Sequence, residues 1–446
     1  MPSDRDTIFA LSSGRPPAAV AVVRISGPRA GFALEKLVGR VPAARRASLA
    51  RLRDPATSGV IDECLALWFP GPNSETGEDV VELQVHGGRA VIAAVLAVLG
   101  EFAGLRHAEA GEFTRRAFEN GRMDLTAVEG LADLVAAETE AQRRQAFLQL
   151  KGLLGERAET WRQRLIEAVA FVEAGIDFSD EDDVPSDLMA RSLERIGPLA
   201  DEISKAMAGQ GERLRDGLRV AIAGPPNAGK STLFNRLARR EAAIVSPFPG
   251  TTRDVLELHL DLGGYPVTVL DTAGIRDTND PIEREGVRRA SEQAIGADLV
   301  LWVIDATGHE FRLAQVPAAW VVVNKMDLMD SKQKVNIESR FMNEKVVHFI
   351  SSATGAGVDA LVNAISVFAE GYFSPEAALV TRERQRAHLR ETVAALHGAH
   401  QAAQEGREEI MAEQLRLAAR ALGRLLGRVD VEDVLDVIFR DFCIGK

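Results

Sequence analysis

The chain has 446 residues, of which 46% are apolar and 26% charged, a composition that excludes disordered and low-complexity proteins. Acidic residues outnumber basic ones by 65 to 53, and the formal net charge is −12. Overall charge therefore does not attract RNA, and any nucleic-acid contact needs a local basic patch. The only cysteines, Cys64 and Cys443, exclude a disulfide framework and fit a reducing compartment.

The apolar runs and the start of the chain predict a cytoplasmic protein that does not cross a membrane. The first residues carry acidic groups and lack the apolar stretch of a signal peptide. The longest apolar runs, Val91–Leu99 and Val316–Val323, are well short of the ~20 residues that span a bilayer.

Composition and periodicity predict two segments before residue 216. In residues 1–119, short apolar runs at Ala18–Ile25 and Leu65–Phe69 predict strands and Val91–Leu99 predicts a helix, which favours a small α+β domain. Residues 120–215 carry apolar residues at helical spacing and predict the first part of a helical domain. Thr126 and Glu129 have the spacing of a capping box.

Residues 216–372 alternate strand-like and helix-like stretches, which predicts a sheet wound with helices. Within it, Leu256–Leu262 alternates leucine with polar residues and predicts a half-exposed edge strand. Residues 373–446 are helical again. We therefore predict an α/β domain inserted into a helical domain, whose two parts flank it.

The strongest motif follows the apolar run Leu218–Ala223. The segment from Gly224 to Ser231 reads GPPNAGKS and matches the phosphate-binding loop of P-loop nucleotide hydrolases. Its backbone N–H groups and the following helix N-terminus favour phosphate oxygens. Lys230 should reach the β- and γ-phosphates, and the Ser231 hydroxyl should bind Mg²⁺. The phosphate-binding candidates are Asn227, Ala228, Gly229, Lys230, Ser231 and Thr232.

Three further motifs follow strands and predict that the nucleotide is GTP. Asp271-Thr-Ala-Gly274 suits Mg²⁺ and γ-phosphate sensing, and Ser351-Ser352-Ala353 can present a backbone N–H to guanine O6. In Asn324-Lys325-Met326-Asp327, the Asp327 carboxylate can accept from N1–H and the 2-amino group of guanine. Adenine would leave that carboxylate unpaired, a mismatch that costs about 10⁴-fold in selectivity. The fold class that these motifs predict is a P-loop GTPase domain with a Ras-like mixed sheet.

The residues for hydrolysis are less defined. Ile275 stands where many GTPases place a water-orienting glutamine, and no arginine finger is identifiable. Glu283 or Glu285 could position a water, although Glu283 is equally a solvated residue at a helix start. Thr252, in Gly250-Thr-Thr-Arg-Asp254, can contact Mg²⁺ and the γ-phosphate, and Asn227 could help to hold a monovalent cation.

These motifs together resemble the MnmE (TrmE) family of tRNA-modifying GTPases over essentially the whole chain. Further motifs that carry the resemblance lie outside the GTPase segment: WFPGPNS at 68–74, GED at 77–79, HGG at 86–88, GEF at 111–113 and the terminal FCIGK at 442–446. The family has an inserted GTPase domain and an N-terminal folate-binding and dimerisation domain, which we expect at residues 1–119.

The resemblance implies roles for individual residues. The positions that match the family's ligands for a K⁺ ion beside the phosphates are Asn227, Ser246, Phe248 and Thr251. Glu283 matches the family's water-positioning glutamate. The tetrahydrofolate site maps to Arg24, Glu82, Arg122 and the terminal Lys446. Arg122 departs from the expected lysine and keeps the charge but not the donor geometry. Ser352 departs from the usual alanine.

The resemblance also implies partners and a reaction. The family forms homodimers and acts with the FAD protein MnmG on the wobble uridine of certain tRNAs. It uses a methylene- or formyl-tetrahydrofolate carbon and yields 5-carboxymethylaminomethyl- or aminomethyl-uridine. GTP hydrolysis would open and close a GTPase-domain dimer that depends on K⁺.

Some alternatives stay open. The GTPase motifs alone fit a GTP-dependent switch in ribosome assembly, whereas the folate-type domain and CIGK terminus favour tRNA modification. Cys443 is either a reactive thiol or a small buried anchor of the C-terminal segment. His86 either takes part in the chemistry or is a structural residue or loop contact. The arginines at 143–144 and 382–390 are typical of solvated faces, and the second cluster is alternatively a contact for tRNA phosphates.

Overall fold

A computed structural model describes residues 6–177, 188–209, 211–240, 242–244, 256–271, 296–308, 319–341, 346–373, 377–429, 435, 438–439, 442 and 444–445. The chain forms two compact units. One comprises Met1–Ala132, Gln149–Gly197 and Glu391–Lys446, and the other comprises Asp133–Leu148 and Pro198–Arg390. The four segments expected from the sequence, with boundaries at 119/120, 215/216 and 372/373, stay predictions.

The first unit contains a six-stranded sheet with the order β3-β4-β5-β2-β1-β6. Its strands are β1 (Thr7–Leu11), β2 (Val20–Ser26), β3 (Ser48–Arg53), β4 (Val60–Phe69), β5 (Val80–His86) and β6 (Leu105–His107). Neighbouring strands are antiparallel except β1 and β6, which are parallel. Helices α1 (Ala30–Val38) and α2 (Arg89–Gly100) bury their apolar faces in the core of this sheet. The predicted strands and helix of this segment are confirmed.

Helices account for most of the rest of this unit. They include α3 (Glu112–Glu119), α6 (Gly155–Asp177) and α13 (Glu408–Leu426). Helices α6 and α13 pack against each other, with Trp161 and Leu415 fully buried. Four of the described helices contain a boundary between the units, near 132, 148, 197 and 390: α4 (Leu125–Ala136), α5 (Glu140–Leu150), α7 (Leu188–Ala206) and α12 (Glu383–Gln404).

The predicted capping box at Thr126 and Glu129 is wrong. Helix α4 begins at Leu125, so Thr126 lies inside the helix. The Asp124 carboxylate caps this end instead, since it accepts from the Ala127 N–H at 2.9 Å and from the Thr126 hydroxyl at 2.7 Å. A carboxylate one residue before the helix is the stronger N-cap, because it also matches the positive end of the helix dipole.

The second unit contains a six-stranded sheet with the order β12-β11-β10-β7-β9-β8. Its strands are β7 (Leu218–Ala223), β8 (Leu256–Leu262), β9 (Tyr265–Asp271), β10 (Leu299–Asp305), β11 (Ala319–Asn324) and β12 (Val347–Phe349). All pairs are parallel except β8 and β9. The leucines at 258, 260 and 262 are buried while Glu257 is exposed, which confirms the predicted edge strand.

Helices cover this sheet and place its loops at one edge. They are α9 (Lys230–Ala238), α10 (Ser331–Arg340) and α11 (Val358–Tyr372), together with a 3₁₀ turn at Met326–Leu328 and α8 (Gly211–Asp216) before β7. Helix α7 (Leu188–Ala206) precedes them and contains Pro198. The mixed sheet with its helices has the predicted P-loop GTPase architecture. Within the described residues, none of the helices has the length and apolar character that a membrane span requires.

Candidate functional site

The loop that connects β7 to α9 lies at the carboxyl end of the second sheet. Helix α9 begins at Lys230, and Asp271 at the end of β9 is in register with Ile222 of β7. Gly224 has a φ of +140°, and a Cβ there would overlap the Val303 carbonyl oxygen. The glycine therefore lets this loop close against β10.

Lys230 already points its ammonium group over this loop. Its Nζ donates to the carbonyl oxygens of Gly224 and Pro225, each at 3.0 Å. Ser231 and Thr232 lie in the first helical turn, where Ser231 is exposed, and Asn227 is exposed with a φ of +57°. Ala228 is buried and anchors the loop. The ammonium group can exchange the loop carbonyls for phosphate oxygens, which are stronger acceptors.

Asn324 ties the phosphate loop to the segment expected to contact guanine. Its Nδ2 donates to the Ala228 carbonyl oxygen at 2.8 Å, and its Oδ1 accepts from the Ser352 N–H at 2.8 Å. The side chain is buried, so both of its polar ends are satisfied inside the protein. Asn324 therefore fixes the distance between the two loops that must grip opposite ends of a nucleotide.

The residues after Asn324 are held by an ion pair. Lys325 has a φ of +67°, and its Nζ lies 2.6 Å from the Asp305 Oδ2. Burial alone would raise the pKa of Asp305, but hydrogen bonds from Lys325 and Thr307 outweigh it and hold that pKa below its usual range. Asp327 is exposed in the 3₁₀ turn, so its carboxylate is accessible to a base.

The loop Ser351–Ala353 is fixed by backbone and side-chain contacts. The Ser351 N–H donates to the Ala356 carbonyl oxygen at 2.8 Å. Arg236, on α9, donates to the Ser352 carbonyl oxygen at 2.6 Å and also to that of Ala353. Sequence reasoning missed Arg236, because an arginine in the second turn of a helix carries no motif and its partners are distant in sequence.

Several expected site residues lie outside the described residues. They are Ser246, Phe248, Thr251, Thr252, Gly274, Glu283, Cys443 and Lys446. Their expected roles with GTP, Mg²⁺, K⁺ and folate stay predictions.

Two of the expected folate residues meet in the first sheet. Arg24 on β2 and Glu82 on β5 are cross-strand partners, and the Glu82 Oε1 lies 2.9 Å from an Arg24 terminal nitrogen. Glu75 makes a second ion pair with Arg24 at 2.7 Å, and the guanidinium lies 5.7 Å from the centre of the Phe113 ring. Arg122 is exposed.

The motifs GED and GEF supply a buried charge network. Arg116 donates to Glu78 at 3.1 Å and to Glu112 at 3.0 Å, and Arg106 forms a two-pronged pair with Glu112. Burial raises the pKa of Glu112, but hydrogen bonds from Arg106, the Glu109 N–H and Arg116 outweigh it and leave the pKa lowered. Both glutamates therefore hold α3 to the sheet.

Two residues near the C-terminus, Ile444 and Gly445, contact the first unit at Ala110 and at the end of β1. Ile444 forms an antiparallel bridge with Ala110, and Gly445 packs against the Leu11 carbonyl at the end of β1. Ala10, the residue before Leu11, is the cross-strand partner of Arg24. His86 is exposed, and the Asp62 carboxylate accepts from its Nδ1 at 2.8 Å and from its backbone N–H at 2.8 Å.

The basic clusters are largely engaged in ion pairs. Arg382 pairs with Asp133 and Arg386 with Glu212 at 2.9 Å, and both arginines are mostly buried. Arg143 pairs with Glu140 at 2.6 Å on the surface. Arg382 and Arg386 are therefore structural. Arg390 is exposed and pairs with Glu383 at 2.8 Å, and a contact of the 382–390 cluster with tRNA stays a prediction.

Comparison with known proteins covers both units. A model described as the MnmE helical domain matches residues 125–443, and one described as the GTP-binding protein TrmE N-terminus matches residues 7–122. A protein of Bradyrhizobium sp. (strain ORS 278) named tRNA modification GTPase MnmE is 58% identical over 443 residues, 99% of each chain. A protein of the same name from Parvibaculum lavamentivorans (strain DS-1) is 54% identical, over 99% of this chain and 100% of that one.

Among solved structures, a point variant of Aquifex aeolicus Era bound to GDP.AlF4- is 27% identical over 40% of this chain and 66% of that chain, with a TM-score of 0.28. A TM-score this low carries no weight in assigning the chain to a family. The family models and the relatives, which extend over nearly the full length, decide it: the chain belongs to the MnmE family.

Proposed function

We propose that the chain is a GTP hydrolase that takes part in the modification of the wobble uridine of tRNA. The observation that carries the GTP assignment is the pair of loops joined by Asn324. The phosphate loop offers the Lys230 ammonium and backbone amides to phosphates. The loop Ser351–Ala353, joined to it through Asn324, offers a backbone N–H to guanine, and Asp327 follows Asn324 in the chain. The relatives' printed name, tRNA modification GTPase, supports the same function.

Magnesium fits the described residues around the phosphate loop. Ser231 is exposed at the start of α9, and the buried Asp271 ends the neighbouring strand β9. Ser231 and Thr252 would hold Mg²⁺, and Asn227, Ser246, Phe248 and Thr251 would hold K⁺. When bound, the two ions supply positive charge opposite the phosphate oxygens. Glu283 would orient the attacking water, since Ile275 has no hydrogen-bonding group.

The tRNA reaction would use the first unit. Arg24, Glu82, Arg122 and Lys446 would bind a methylene- or formyl-tetrahydrofolate, whose glutamate carboxylates and pterin edge suit a guanidinium and a carboxylate. Gly445 packs against Leu11 on β1, the strand that pairs with the Arg24 strand β2, and this supports the assignment. An MnmG-type FAD protein would complete the modification complex, and Cys443 is a candidate reactive thiol there.

Homodimer formation through the first domain has support from an exposed apolar surface. Leu49 on β3 and Leu65 on β4 are cross-strand partners, and 72% of Leu49 is exposed. Strand β3 is at the edge of its sheet, where a second copy could pair or pack. K⁺-dependent association of two GTPase domains would be a separate contact, made in the course of hydrolysis.

GTP turnover in K⁺ and in Na⁺ at equal ionic strength tests the proposed hydrolysis. We expect fast turnover with Mg²⁺ and K⁺, slow turnover in Na⁺, and loss of the K⁺ effect in Glu283→Ala. Glu285→Ala is the matched control, from the same segment, and should keep wild-type turnover. Equal rates in both salts would contradict the K⁺ site and favour a GTP-dependent binding switch.

Nucleoside analysis of tRNA tests the modification. In cells that lack this protein, the wild-type gene should restore 5-carboxymethylaminomethyl- or aminomethyl-uridine, as measured by mass spectrometry. Arg24→Ala should fail to restore it while keeping GTP turnover. Restoration by Arg24→Ala would contradict the folate site, and an unmodified wobble uridine with the wild-type gene would contradict the function.

A further inference from the structure

We propose that Arg236 is a positioning residue for guanine selectivity, and that it acts by aiming the Ala353 N–H at guanine O6. This inference rests on the proposed GTP binding. It assigns a role to a side chain outside the nucleotide-binding motifs. Arg236 lies on α9, the helix that begins at the phosphate loop, and reaches the loop that follows β12.

The contacts of Arg236 fix two successive peptide planes. Its Nε donates to the Ser352 carbonyl oxygen at 2.6 Å, and a terminal nitrogen donates to the Ala353 carbonyl oxygen. In a trans peptide the C=O and the N–H point in opposite directions. With the Ser352 carbonyl directed at Arg236, the Ala353 N–H of the same peptide must be directed away from it.

The other amides of this loop are already engaged. The Ser351 N–H donates to the Ala356 carbonyl, the Ser352 N–H to Asn324 Oδ1, and the Thr354 N–H to Ser351 Oγ at 3.1 Å. Within the described parts of the chain, the Ala353 N–H has no such partner, and Ala353 is exposed. It is therefore the donor in Ser351–Ala353 that is left for a base oxygen.

The charge of Arg236 also strengthens this donor. A guanidinium that donates to a peptide carbonyl polarises the peptide, so the N–H on its other side becomes a better donor. Arg240, four residues later and just beyond the end of α9, offers a matched control. It pairs with Asp359 at 2.6 Å and makes no contact with the Ser351–Ala353 carbonyls.

Three diphosphates that differ only in the base test the proposal. GDP and IDP carry O6, whereas 2-aminopurine riboside diphosphate lacks it. Their dissociation constants are measured by competition with a fluorescent GDP for the full-length wild type, Arg236→Ala, Arg236→Lys and Arg240→Ala. We expect Arg236→Ala to bind GDP and IDP about tenfold more weakly. Its affinity for the 2-aminopurine nucleotide should change by less than about twofold.

The remaining variants keep the test decisive. Arg236→Lys retains a cation that can reach a carbonyl, so it should recover part of the GDP affinity, and Arg240→Ala should match the wild type. Equal weakening for all three nucleotides, or none in either Arg236 variant, would overturn the role of Arg236. A wild type that binds ADP as tightly as GDP would instead overturn the proposed GTP function.

Discussion

Glu112 is the residue at which the charges of the first unit converge. Its carboxylate accepts from Arg106, from Arg116 and from the Glu109 N–H, and only 11% of its side chain is exposed. These hydrogen bonds outweigh the effect of burial and lower its pKa. A lowered carboxylate pKa stabilises the folded state above the unfolded-state pKa of about 4.3, and this contribution is lost as the pH falls further.

Glu112→Gln should therefore destabilise the protein most at neutral pH. We expect a loss of about 3 kcal/mol at pH 7, because two arginines lose a buried anionic partner, and a smaller loss near pH 3. Urea unfolding of the full chain between pH 7 and pH 3 measures both. The control is Glu140→Gln, which breaks an exposed ion pair with Arg143 and should leave the unfolding midpoint unchanged. A loss that does not depend on pH would contradict this account.

Helix α5 forms hydrogen bonds to the backbone of other segments, in addition to packing. The Gln145 side chain accepts from the Ala378 N–H at 2.9 Å and donates to the Ala378 carbonyl at 2.7 Å, as a neighbouring strand would. Gln142 donates to the Arg215 carbonyl at 2.9 Å, and the Ala141 N–H donates to the Gly264 carbonyl at 3.0 Å. One helix thus satisfies backbone groups of three other segments in the second unit.

Gln145→Ala should lower the free energy of unfolding by about 2 kcal/mol, since a partly buried N–H and C=O both lose their partner. Gln145→Glu has the same shape but turns an oxygen against the Ala378 carbonyl, so it should be at least as destabilising at pH 7. Urea midpoints of the full chain measure both variants. A harmless Gln145→Glu would show that packing, not hydrogen bonding, is what Gln145 contributes.

Prediction from sequence succeeded for elements whose signal is local. The alternation of leucine and polar residues in Leu256–Leu262 predicted an edge strand correctly, because this pattern is contained within the strand's own sequence. The cap of α4 was assigned to Thr126 instead of Asp124, because both residues suit a cap and sequence alone does not choose between them. Arg236, Gln145 and the Glu112 network were missed because their partners are remote in sequence.

At the scale of the whole molecule, residues from both ends of the sequence build one part of the first unit. Ile444 pairs with Ala110, and Gly445 packs against Leu11 on β1. The φ of Gly445 is +100°, and a Cβ there would overlap the Leu11 carbonyl. This close approach needs glycine, and it holds Gly445 against the end of β1.

Gly445→Ala should therefore release the C-terminal segment from the sheet. We expect faster digestion by carboxypeptidase and, on the proposed function, weaker binding of 5-formyl-tetrahydrofolate, with unchanged GTP turnover. Gly406→Ala is the matched control, since its φ is +68° and the space around it is open, so it adds backbone strain without a clash. If both variants are digested at the wild-type rate, the segment does not depend on the Gly445 contact. If digestion accelerates while folate affinity is kept, the docked segment is structural and takes no part in the folate site.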